Sequence, residues 1–235
     1  MERTTVIRYL GLQDYAKTYR AMRRFTELRD RDTNDEFWLL EHPAVFTLGI
    51  GGQRRNVLEA GDIPVIRTDR GGQVTYHGPG QLVVYPLLDI RRARLGPRQL
   101  VSGLESAVIA LLRDYEITGQ LRSEAPGVYV GDAKIASLGL RIRRGCCYHG
   151  LALNVTTDLE PFQRINPCGF EGLSLTRTVD LGGPADLETV AGDLLQHLLI
   201  QLELSKDSVR ESVIGQATFP VADNAAVSQH PTTSR

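Results

Sequence analysis

Residues 81–90 read QLVVYPLLDI, a nearly continuous apolar run. A strand with one face in water alternates polar and apolar residues, so an unbroken run predicts a central strand. Three strand-like segments lie downstream: GVYVGD, AKIASLGLRIRR and CCYHGLALNV. Gly131-Asp132 and Arg144-Gly145 separate them and read as hairpin turns. Upstream, TTVIRYLG predicts a first strand. DEFWLLEHP and AVFTLG predict two short ones broken at Pro43, and PVIRTDRGG predicts another that ends at paired glycines.

Three segments carry the helical period instead. LQDYAKTYRAMRRFTELRDRD has mixed charge on a helical pattern. After Pro97, suited to a first helical turn, Leu100, Leu104, Val108, Leu111, Leu112 and Tyr115 share one face. Leu187, Val190, Ala191, Leu194, Leu195, Leu198 and Leu202 do the same near the end. Hairpins with isolated helices predict a single α+β domain, its largely antiparallel sheet packed by helices on one face. We expect that domain to span 1–204. The polar remainder, 205–235, is expected to be a flexible tail.

The bulk properties exclude several classes. The 235-residue chain has a formal net charge of −1. That argues against non-specific nucleic-acid binding. No apolar run is long enough to span a membrane, and the opening MERTTVIRYLGLQDY lacks the apolar core of a secretory signal. Three cysteines, two of them adjacent, make a poor disulfide framework. The expectation is a cytoplasmic protein with reduced thiols. No group of Cys and His has zinc-ligand spacing, so no metal is expected. Cys146 and Cys147 should point to opposite faces of one strand.

Two features look chemical. Cys168 stands between Pro167 and Gly169 in RINPCGF, where a thiol is presented rather than packed. A thiol needs a base or cation to become nucleophilic. His42, His77, His149, His197, His230 and Lys134 are the candidates, and Lys134 is an isolated charge among small residues in GDAKIASLG. The second feature is RGGQVTYHGPGQLVVYP, where Gly71, Gly72, Gly78 and Gly80 surround His77. Glycines let a backbone approach a ligand, and Arg70 offers a cation at the entrance. Neither a P-loop nor a dinucleotide fingerprint is present, since no Gly-Lys-Ser/Thr follows and the next element is a strand.

This stretch, with GVYVGDAKIASLGLRI, YHGLALNV and INPCG, resembles the lipoyl(octanoyl) transferases over about residues 42–176. The resemblance implies an α+β domain with a mixed sheet, related to biotin and lipoate protein ligases. It implies that an octanoyl or lipoyl group moves from acyl carrier protein to a lysine of a lipoyl domain. Expected acceptors are the E2 subunits of 2-oxoacid dehydrogenases and the glycine cleavage H protein; no cofactor is expected. Lys134 and Cys168 match the family's catalytic pair. The matching also implies three substrate-binding stretches: Arg70, Gly71, Gly72, Gln73, Val74, Thr75, Tyr76 and His77; Ser137, Leu138 and Gly139; Gly150, Leu151 and Ala152. Small residues at Ala136, Gly139, Gly150 and Ala152 either leave room for an acyl chain or pack a close hairpin. His77 and His149 are expected in pocket or support roles. The rivals are an ATP-dependent ligase on the same fold and a non-catalytic acyl-carrier-binding module.

Overall fold

The computed structural model describes residues 4–122, 126–166, 173–204 and 209–213. The large sheet has eight strands: β1 (Thr5–Leu12), β2 (Asp35–Glu41), β6 (Gln81–Leu87), β7 (Gln120–Leu121), β8 (Val128–Val130), β9 (Ala133–Arg143), β10 (Cys146–Asn154) and β11 (Val209–Val213). Their spatial order is β11-β1-β2-β6-β10-β9-β8-β7. β1 is parallel to both β2 and β11, and every other pair is antiparallel. A second sheet, β4-β3-β5, combines β3 (Val45–Leu48), β4 (Val65–Arg67) and β5 (Val74–His77).

Most of the run at 81–90, Gln81–Leu87, forms the central β6, and the two faces of the sheet explain its composition. Leu82 and Val84 face a large cluster with Leu104, Leu111, Leu194 and Leu198, from α2 (Pro97–Asp114) and α3 (Leu187–Gln201). Val83, Tyr85 and Leu87 face the other way, into a cluster with Met22 of α1 (Tyr15–Leu28). Helices therefore cover both faces, not one. The period of α1 shows an apolar stripe but not which side of the sheet receives it.

Sequence signals set the helix starts. Asp14 accepts the Lys17 N–H at 2.8 Å, and Asp186 accepts that of Thr189 at 2.8 Å. Each satisfies a backbone donor left open in a first turn, a cap contribution of about 1 kcal/mol. Pro97 opens α2, as expected. The β9–β10 hairpin closes between Arg143 and Cys146, with Arg144 and Gly145 at φ +53° and +78°. Paired positive φ values match the twist of the flanking strands.

Within the stretch expected to be a tail, Val209–Val213 forms β11 on the open edge of β1. An edge strand offers unpaired backbone groups to any extended segment, whatever its side chains. Residues 205–208 and 214–235 lie outside the described residues. Among the described residues, no helix is long and apolar enough to cross a membrane, and no group of His, Cys, Asp and Glu could hold a metal ion.

Candidate active site

One cavity of about 480 Å³ opens along β9 and β10. Arg70 to Thr75, His77, Lys134, Ser137 to Gly139 and Gly150 to Ala152 all line it. Residues about 70 positions apart meet there because Gly71 N–H donates to the Leu140 carbonyl at 2.9 Å, laying the glycine-rich stretch across β9. Tyr76 is not among the lining residues. Its ring packs against Phe46 and Phe162 at 5.6 and 5.3 Å, because period-2 alternation turns it to the opposite side of β5 from Thr75 and His77.

Arg70 differs from the expectation of a cation at the entrance. It is 8% exposed, and its guanidinium is turned into the protein. It donates to the Thr47 hydroxyl (3.1 and 2.9 Å) and to the carbonyls of Thr47 (2.7 Å), Gly71 (2.9 Å) and Gln73 (2.8 Å). Five donors in a rigid fork suit this role, stapling β3 to the glycine-rich stretch.

The small residues also do something more than leave room. A Cβ on Gly150 would lie 2.0 Å from the Val84 carbonyl oxygen and 2.7 Å from the Pro86 ring. Gly150 is therefore required for the closeness of β6 and β10. The close packing here is between neighbouring strands β6 and β10, in the wall of the cavity.

Lys134 is 3% exposed, and its Nζ donates to the Pro126 carbonyl at 2.6 Å. The Tyr129 ring lies 5.5 Å away. Its backbone N–H donates to Ser174 O at 2.8 Å, and its carbonyl accepts from Thr176 N–H at 3.0 Å. On the other flank, Asn166 N–H donates to Asn56 O at 2.8 Å. Cys168 itself lies outside the described residues. The chain on both sides of it is thus anchored, one side directly on Lys134.

His77 Nδ1–H donates to Gln81 Oε1 at 2.7 Å; Gln81 Nε2 donates to Asn154 Oδ1 at 2.9 Å, and Asn154 Nδ2 to Thr176 O at 3.1 Å. This relay connects the glycine-rich stretch to the segment on Lys134. The Tyr15 ring stacks on His77 at 5.6 Å. His42 does not line the cavity; it is held between Gln13 O (2.6 Å) and the Tyr85 hydroxyl (2.8 Å). His149 sits at φ +58°, and its Nε2 meets Asp69 Oδ1 at 3.0 Å. Tyr148 hydroxyl donates to the same carboxylate. Burial would raise the Asp69 pKa, but hydrogen bonds from His149, Tyr148 and Tyr19 outweigh it and hold the carboxyl well below its usual range. His197 pairs with Asp114 at 2.7 Å, between α3 and α2, and His230 is outside the described residues. Cys147 lies in the α2–α3 core with burial pushing its thiol up to about 12, while the Cys146 thiol is raised for the same reason.

Asp69, Tyr15 and Glu105 were not anticipated. Asp69 immediately precedes Arg70 and could have been noticed there. Tyr15 and Glu105 sit on helices, and only packing brings them near the cavity.

The buried histidines make a pH prediction. Burial lowers His42 to about 4 and drives His77 and His149 below the ordinary value. Below pH 6.5 the unfolded chain binds protons that the folded one refuses, so stability drops as pH is lowered through that window. His42 alone accounts for about 3 kcal/mol between pH 6.5 and 4. Urea midpoints measured at pH 7.5 and 5 should differ, the lower pH being less stable. Equal midpoints would contradict the neutral, buried state.

The model of the lipoyl protein ligase A/B catalytic domain matches residues 14–199. An octanoyltransferase of Alkalilimnicola ehrlichii is 59% identical over 193 residues, covering 82% of this chain and 90% of its own. The chain belongs to the octanoyltransferase family. As a member of that family it is an acyltransferase, and its fold recurs in ligases. A bipartite lipoate protein ligase of Thermoplasma acidophilum, studied with its E2 lipoyl domain, superposes with a TM-score of 0.70 at 15% identity, over 90% of this chain and 88% of its own. The biotin protein ligase of Aquifex aeolicus, in complex with biotin and ATP, gives 0.55 at 16% identity, over 85% and 70%.

Proposed function

We propose that this protein takes an octanoyl group from acyl carrier protein and delivers it to a lysine of lipoyl domains. The acceptors are E2 subunits of 2-oxoacid dehydrogenases and the glycine cleavage H protein, and the acyl group passes through a thioester on Cys168. The observation that carries the reading is Lys134: a buried amine at the cavity wall, its backbone bonded to the chain that leads on from Cys168.

The acid–base logic is simple. An ordinary amine outcompetes an ordinary thiol for a proton by about 2 pH units, so direct contact favours thiolate with ammonium. The Cys168 sulfur attacks the donor carbonyl. The carbon–sulfur bond to the carrier breaks, and the carrier sulfur takes a proton from Lys134. Lys134, now neutral, accepts a proton from the attacking lysine amine. The amide forms, and Cys168 leaves as thiolate. The ion pair is restored, and one amine has served both half-reactions. Exchanging one thioester for another is nearly isoenergetic, and making an amide from a thioester is downhill, so no nucleotide is required. Burying about seven carbon groups of the tail contributes roughly 5 kcal/mol of binding.

The test mixes the protein with octanoyl carrier protein in apyrase-treated buffer and follows peptides by mass spectrometry. One added octanoyl group on the Cys168 peptide, followed by its appearance on a lipoyl domain, is expected. Strict ATP dependence without an acylated cysteine would establish the ligase alternative.

A further inference from the structure

Glu105 lies on α2, nearly 30 positions from Lys134. Its Oε1 accepts the Gly127 N–H at 3.2 Å. The preceding residue, Pro126, supplies the carbonyl that takes the Lys134 ammonium at 2.6 Å. Gly127 is at φ +129°, and a Cβ there would lie 2.5 Å from Lys134 Cε and 3.1 Å from Nζ. The Pro126–Gly127 peptide is therefore clamped between a carboxylate on one side and an amine on the other. The acid and the amine also feel each other's charge. Burial raises the Glu105 pKa, while the Gly127 N–H and the Lys134 charge lower it.

We propose that Glu105 is the positioning residue for Lys134, holding the Pro126–Gly127 turn against the amine and favouring its charged form. This rests on the two-step reading of Lys134 given above. Tyr129 of β8 also lies near Lys134, with the Arg122 guanidinium 4.7 Å from the same ring. Neither supplies a negative charge at neutral pH; the Glu105 carboxylate does, and its charge favours the ammonium.

The consequence is an opposed effect on the two half-reactions. Glu105→Gln keeps an oxygen for Gly127 and removes the charge. The Lys134 pKa should then fall. Acylation, which needs ammonium beside thiolate, should slow by about 10-fold. Amide formation, which needs the neutral amine, should keep its rate to lower pH, its acid limb moving down by about one unit. A merely structural role would slow both steps together and leave the limb in place. Glu105→Asp keeps the charge and should leave the limb within a few tenths of a unit of wild type, which separates charge from fit.

The experiment is rapid-quench measurement of each half-reaction between pH 5.5 and 8.5, for wild type and both variants, using octanoyl carrier protein and a lipoyl domain. Opposed shifts in Glu105→Gln, with Glu105→Asp near wild type, are expected. Unchanged rates, or parallel slowing of both steps, would overturn the role of Glu105 while the wild-type acyl-enzyme still forms. If wild type itself forms no acyl-enzyme, the two-step reading fails first and this inference falls with it.

Discussion

Cys168→Ala should abolish octanoyl transfer, with a loss on the order of 10³-fold or more, because no other step can replace a missing nucleophile. Cys168→Ser should do nearly the same, since a hydroxyl beside an amine remains protonated where a thiol ionises. Both variants should still bind the octanoyl carrier, as the cavity walls come from Arg70 to Thr75, β9 and β10. The measurement is steady-state transfer together with donor binding by each variant. Near-normal transfer by Cys168→Ala would remove the covalent mechanism outright. Loss of binding together with loss of transfer would instead make Cys168 part of the wall.

Lys134→Arg has the second large effect, and it separates two roles that the lysine combines. Arginine keeps a positive charge but does not release a proton near neutral pH. The cation can still stabilise a thiolate, so some acylation should persist. Amide formation should slow by ~10² -fold or more, because no neutral base remains beside the incoming amine. Acyl-enzyme should therefore accumulate on the variant and turn over slowly. Following acylated Cys168 and acylated lipoyl domain separately, with rapid quenching, checks this. Completion of the second step at the wild-type rate would transfer the base to another group. Among the described residues, His77 and His149 are the histidines that line the cavity.

The sequence was most informative where one residue's environment depends on near neighbours. The apolar run at 81–90 predicted a central strand and β6 is one, with apolar clusters on both faces. The turns at Gly131-Asp132 and Arg144-Gly145 join β8 to β9 and β9 to β10 as read, because positive φ is a local demand. The start of α2 was legible for the same reason: Pro97 fits a first helical turn by itself. Sequence motifs also marked the stretches that line the cavity, although they carried Tyr76 along with its neighbours. Only alternation on the folded strand separated the two faces.

What the sequence by itself determined was most of the strands and helices and the family, since these reside in local pattern and in quoted motifs. Tertiary structure alone decided which groups meet. It placed α1 on the face opposite α2 and α3, turned Arg70 inward onto the carbonyls of Thr47 and Gln73, and brought Glu105 to the turn that holds Lys134. The physical reason is that a side chain's type limits what bonds it can make, whereas its partners come from elements tens of residues away. Arg70 would serve equally well as an exposed cation or a buried staple. Thr47, 23 residues earlier in the chain, decides between them by offering a hydroxyl and a carbonyl within 3.1 Å.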